Sequence, residues 1–172
     1  MAKPKLTLKE SEVSQTIDLA TLLGEGAAKN ETVRETFFQL AFDRLMERLS
    51  QGRGLDNKVL PKYSKAYKES LAYAAFDKDG TVNMQLTGDM VNAIKIIDKT
   101  KSSIKVGIDD ENAPKAYNHQ VGDTLPKREW FGWTDKELKS IANEIRPEIN
   151  NDSLLSDEVV LRALDRLLNG QS

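Results

Sequence analysis

Hydrophobic positions recur along this chain with two periods, and the change of period marks its elements. Near the start, residues 3–9 alternate, with Leu6 and Leu8 on one face, which suits a short strand or an arm that pairs elsewhere. Val13, Ile17, Ala20 and Leu23 then follow at helical spacing until Gly24 and Gly26 stop them. The strongest helix is expected over 31–50. Val33, Phe37, Leu40, Ala41, Leu45 and Leu49 keep one face, and Phe38, Phe42 and Met46 form a second stripe beside it. Thr32 and Glu35 suit a capping box at its start. Gly52 and Gly54 close it, and a loop runs to Pro61. A further helix is expected over 64–76 behind Ser64, with Ala66, Tyr67, Leu71, Ala74 and Ala75 as its apolar positions.

Asp79-Gly80 is a turn signal, and Thr87 caps a short helix holding Met90, Val91 and Ile94. Two alternating runs, Ile94–Asp98 and Ser103–Asp109, flank a polar connection and predict a hairpin. Asn112 and Pro114 open another short helix, which ends at Tyr117–Val121 with Gly122 as its stop. Pro126 suits a strand entrance, and Lys127–Phe131 is expected as a third strand, with Arg128 and Trp130 on one face. Gly132 permits a sharp bend before the Thr134/Glu137 capping box of a helix over 134–145, ended by Pro147. Residues 146–155 form a linker. A last helix from Ser156 to about 168 carries Val159, Val160, Ala163, Leu164, Leu167 and Leu168 on one face.

This pattern predicts an α+β fold: a small antiparallel sheet packed by a long α-helix, with helical N- and C-terminal extensions. The expected divisions are an arm over 1–30, a core over 31–145, and a linker with a C-terminal helix over 146–172. The stretch 117–134 organises the whole. It holds the only His and both Trp residues, and Trp130, Phe131 and Trp133 bring a large area to bury.

Composition narrows the classes. The chain has 172 residues, 39% apolar and 30% charged, as in an ordinary globular domain. A net charge of −2 argues against binding nucleic acid by bulk attraction. With no Cys, disulfides and thiolate sites are excluded. No apolar run reaches the roughly 18 residues of a membrane span, and the first residues lack a secretory h-region, so synthesis in a cytoplasm is expected.

Candidate chemistry is sparse. His119, as the single imidazole, excludes a multi-His metal site within one chain and would have to serve any Ser–His–Asp arrangement with Ser64, Ser70 or Asp109. None of these serines sits in a nucleophile elbow, so His119 and Gln120 are expected to hydrogen-bond the backbone of the following turn. Asp77/Asp79 and Asp109–Glu111 lack the spacing of a calcium loop. Lys58, Lys62, Lys65 and Lys68, with Tyr63 and Tyr67 between them, could contact phosphates or form a solvated face. No cofactor, metal site or catalytic residue is expected.

Taken in order, LPKYSKAYKES, LTGDMVNAI, IKVGI and YNHQVGDTLPKREWFGWTDKEL resemble the signatures of the phage virion morphogenesis family, the tail completion or neck proteins of long-tailed bacteriophages. Leu60, Pro61, Ser64, Tyr67 and Lys68 match its first segment. Leu86, Thr87, Gly88 and Ile94 match the second, and Val106 and Gly107 the third. Tyr117, His119, Gln120 and Gly122 match the fourth. Pro126, Arg128, Phe131, Gly132, Thr134 and Asp135 match the last. Met90 stands where the family has Leu, and Glu129-Trp130 departs from its usual pair. The resemblance spans roughly 31–145. It implies a structural virion protein rather than an enzyme: a ring, commonly a hexamer of the chain itself, at the head–tail junction. Its implied neighbours are a portal or head adaptor and tail terminator or tail tube proteins, with genomic DNA in the lumen and no membrane. The face with Val159, Val160, Leu164 and Leu167 is expected to contact other subunits. The alternative is a nucleic-acid-binding accessory protein that uses the 58–68 lysines.

Overall fold

A computed structural model describes residues 5–75, 80–82, 84 and 88–150. Their architecture is α+β. Strands β1 (Leu6–Lys9), β2 (Glu12–Asp18), β3 (Lys95–Lys99) and β4 (Ser103–Ile108) form an antiparallel sheet in the order β1-β2-β4-β3. The hairpin expected over 94–109 is β3–β4. Short helices α1 (Leu19–Leu23) and α2 (Glu25–Lys29) lead into the long α3 (Glu31–Ser50). Then come the short α4 (Lys65–Lys68), α5 (Leu71–Ala75) and α6 (Asp89–Asn92). Helices α7 (Ala113–Val121) and α8 (Asp135–Asn150) close the described chain.

The sheet corrects the reading of the first thirty residues. Residues 12–18 are a central strand, not a helix, and β2 is paired on both sides. Val13 and Ile17 are four apart, a spacing that fits either period. The residue that decides is Gln15, which lies between them on the inward face and is buried. A polar side chain at that position hides the alternation. The expected boundary at residue 30 therefore falls inside one packed unit, and residues 5–18 supply half of its strands. Opposite Gly107, β2 comes so close that a Cβ there would lie 2.2 Å from the Val13 carbonyl oxygen.

One core joins the inward face of the sheet to the helices. Val13, Ile17, Ile104, Val106 and Ile108 share it with Val33, Phe37, Ala41, Leu45 and Leu49 of α3 and with Ile141 and Ala142 of α8. Helix α3 packs against α8, and α7 lies against β1 and β2. The second stripe of α3, Phe38, Phe42 and Met46, is half-buried.

Helix ends differ from expectation in instructive ways. Asn30, not Thr32 with Glu35, caps α3. Its backbone is extended, and its side chain accepts a hydrogen bond from the Val33 amide at 3.2 Å. Ser64 does cap α4. The helix expected over 64–76 is interrupted there: Ser70 accepts from the Tyr73 amide and donates to the Tyr67 carbonyl. Leu71 consequently points outward and is 90% exposed. Asn112 gives no side-chain cap to α7 and instead bonds Asp110. Gly88, in the left-handed region, precedes α6 without a side-chain cap. Pro147 does not end α8, which continues to Asn150. Ile149, two residues beyond it, packs on the core, which offsets the lost backbone bond. The expected cap Thr87, the pair Asp77/Asp79, and the last helix with Val159, Val160, Leu164 and Leu167 lie outside the described residues.

No described helix is long and apolar enough to cross a membrane.

Replacing Gln15 by Val would restore an apolar alternation to β2, yet it is expected to destabilise the fold by about 2–4 kcal/mol, because both polar backbone groups of Trp133 lose their partner. Urea unfolding of Gln15→Val checks this; a variant as stable as the parent contradicts it.

Candidate functional site

The residues singled out at 117–134 do converge, but not as a strand. Residues 126–130 carry no sheet pairing; the sheet is made by β1 to β4 alone among the described residues. Arg128, Trp130, Phe131, Gly132 and Trp133 are nevertheless buried. A buried segment without a strand partner must find other partners for its amides and carbonyls. Side chains supply most of them. Gln120, on the last turn of α7, accepts from the amides of Trp130 and Phe131, both at 3.1 Å, and donates to the Phe131 carbonyl at 3.4 Å. Gln15 accepts from the Trp133 amide at 2.8 Å and donates to its carbonyl at 3.0 Å. Arg48, near the end of α3, donates to the carbonyls of Gly132 (2.8 Å) and Trp130 (3.3 Å) and pairs with Glu137.

Backbone bonds and a cap complete the clamp. The Arg128 amide donates to the His119 carbonyl at 2.7 Å, and the Leu55 amide to the Glu129 carbonyl at 2.6 Å. The expected Thr134/Glu137 box is present. The Thr134 amide donates to Glu137 at 2.8 Å, and the Glu137 amide to the Thr134 hydroxyl at 3.3 Å.

The local sequence dictates the shape. Gly122 ends α7 at φ +76°, and an added Cβ would lie 2.4 Å from that of Lys127, so the chain turns back at once along its own helix. Gly132 bends at φ +109° between the aromatic residues. Phe131 then sits edge-on to both indoles, with centroids 5.6 Å from Trp130 and 5.5 Å from Trp133. The two indoles are held differently. Trp133 donates its N–H to the Ala41 carbonyl of α3 at 2.6 Å, whereas the buried Trp130 N–H has no partner among the described residues.

Arg128 ties in the segment around Pro61–Tyr63. Its Nε donates to the Pro61 carbonyl at 3.0 Å and Nη2 to that of Lys62 at 3.3 Å, and its guanidinium lies 5.4 Å from the Tyr63 ring centre. Tyr63, Tyr67 and Tyr73 form a ring cluster. Thus Pro61, His119, Gln120, Gly122, Arg128, Phe131 and Gly132 belong to one corner. Tyr117 is half-buried on α7, and Pro126 is exposed at the turn.

Beside this corner lies an open cavity of about 240 Å³, lined among others by Tyr67, Met90, Lys115, His119 and Arg128. His119 is the one imidazole of the chain. Burial, with Arg128 and Lys115 nearby, lowers it from 6.5 to about 4, so it is neutral at pH 7. Its Nδ1 is 3.4 Å from Arg128 Nη1, which makes Nδ1 the acceptor and puts the proton on Nε2. Ser64 and Ser70 are engaged in helix caps, and Asp109 pairs with Lys95 at 2.8 Å. None of the three meets His119. Among the described residues, no group of three or more metal-ligating side chains gathers.

Lys58, Lys62, Lys65 and Lys68 are all exposed, and Lys65 lies 3.8 Å from Glu69. The sequence reading missed Gln15 and Arg48. Both clamp the aromatic segment from elements distant in sequence, and no local signal marks them. Comparison of the chain with family models, curated proteins and solved structures gives no match.

Two outcomes are expected. Trp133→Phe should destabilise by about 1 kcal/mol or more beyond Trp130→Phe, because the first breaks a buried hydrogen bond to the Ala41 carbonyl whereas the second removes an N–H that has no partner among the described residues; equal losses in chemical denaturation contradict this. The second concerns pH. A His neutral in the folded state and titrating near 6.5 when unfolded takes up its proton first in the unfolded chain. Its contribution to stability is therefore complete above pH 6.5 and is lost as pH falls towards 4. His119→Gln should flatten the fall in melting temperature across that window, and an unchanged slope contradicts the assignment.

Proposed function

We propose that this chain is a structural virion protein of the neck or tail completion type. It forms a ring at the head–tail junction, joins the tail to the DNA-filled head and surrounds the DNA channel. The observation that carries this reading is the use made of the matched residues. Gln120, Gly122, Arg128, Phe131 and Gly132 hold one segment of backbone in a fixed shape. Such residues specify a scaffold, and scaffolds act through their surfaces. The chain lacks a strong positive balance, which suits a channel that must release its DNA.

In this reading the subunits contact one another head to tail, as a closed ring requires. The apolar face expected over 156–168 supplies one such contact, and portal or adaptor and tail proteins flank the ring. The exposed lysines 58, 62, 65 and 68 carry the alternative, a nucleic-acid-binding accessory role. Salt-dependent DNA retention by the purified protein, abolished by Lys62→Glu with Lys65→Glu, would favour that alternative.

Deleting residues 156–172 is expected to impair ring or neck assembly while leaving the melting temperature of the remaining domain within a few degrees of the parent. His119→Ala is expected to assemble normally. Electron microscopy of lysates, with calorimetry of the purified proteins, checks both. Complete infective particles from the truncated chain would reject the role of the C-terminal face, and failed assembly by a folded His119→Ala would point to a different use of the imidazole.

A further inference from the structure

Arg128 is only 3% exposed, yet its guanidinium meets no carboxylate among the described residues. Its partners are two carbonyls, a neutral imidazole and the Tyr63 ring. A buried cation held only by neutral groups is costly, and buried charges are ordinarily paired. Of the five guanidinium N–H groups, three are engaged in these bonds. Desolvation accordingly pushes the Arg128 pKa below its usual value.

The cavity beside it has a matching character. Its lining includes Tyr63, Tyr67, Met84, Met90 and Leu125, which give apolar walls, and no acidic side chain among the described residues. Its charged side chains, Arg128 and Lys115, can only donate, and its hydroxyls can donate as well as accept. Lys115 is a second cation at the exposed side. His119 keeps its proton on Nε2, because Nδ1 faces Arg128. Ser64 accepts from the Tyr67 amide and so has its hydroxyl proton to give. Donors of this kind, facing apolar and aromatic walls, fit a ligand with an acceptor-only head and a flat apolar body.

We propose that this cavity binds a small aromatic carboxylate, its carboxylate directed to Arg128 and Lys115 and its ring held among Tyr63, Tyr67, Met84 and Met90. The volume of about 240 Å³ suits one ring and its head group rather than a larger cofactor. The site is independent of ring formation, since it needs only one chain.

The test is a titration of the full-length protein with phenylacetate, its neutral amide phenylacetamide, and acetate, followed by heteronuclear NMR at the Arg128 Nε–H and the His119 ring. Phenylacetate is expected to give saturable shifts at both groups. Phenylacetamide, which loses the charge, and acetate, which loses the ring, are each expected to bind roughly tenfold more weakly or worse. Lys115→Gln changes an exposed side chain and leaves the fold intact; it should weaken phenylacetate several-fold without altering the amide. Arg128→Met should abolish binding, read only if its melting curve remains cooperative. No saturable shift with phenylacetate, equal binding of acid and amide, or indifference to Lys115→Gln would each overturn the proposal.

Discussion

Burying an irregular stretch of backbone is possible only if something other than a neighbouring strand takes its hydrogen bonds, and this requirement governs the structure around Trp130–Trp133. The aromatic residues draw the segment into the core through the area they hide. The same burial would strand the peptide groups that carry them. Gln120, Gln15 and Arg48 answer that demand from three different elements: the end of α7, the middle of β2 and the end of α3. Because each clamp comes from a separate element, the segment fixes their mutual placement. The sheet, the long helix and α7 are tied to one another through it, and Glu137 links Arg48 to the start of α8.

The physical logic explains which parts were legible in the sequence. Features whose cause is local were readable: the long amphipathic α3, the β3–β4 hairpin, the Gly122 stop, the bend at Gly132 and the Thr134/Glu137 box. Each depends on residues within a few positions of one another. Features decided at a distance were not. Gln15 looks like a break in a strand pattern until its partner Trp133, 118 positions away, is known. Lys127–Phe131 has the composition of a strand, but its backbone is claimed by Gln120, Arg48 and the backbone of Leu55 and His119 instead of by a sheet. Pro147 reads as a stop, yet Ile149 beyond it has a core to reach.

The candidate site divides in the same way. Gln120's part in the following turn was readable from its place at a helix end, and it is the more important of the expected pair. His119 contributes its carbonyl to the Arg128 amide and its ring to the cavity wall. The exposed lysines follow from sequence, but the burial of Arg128 does not. Its guanidinium ties the 61–62 loop to the 119–128 turn, two segments far apart in sequence.

If side chains, rather than sheet pairing, hold the aromatic segment in the core, its amides must open only when the whole domain does. Native-state hydrogen exchange at the amides of Trp130, Phe131 and Trp133 tests this most directly. Protection equal to that of the central strands β2 and β4 is the result expected. Exchange at loop-like rates, while β2 and β4 remain protected, would contradict it.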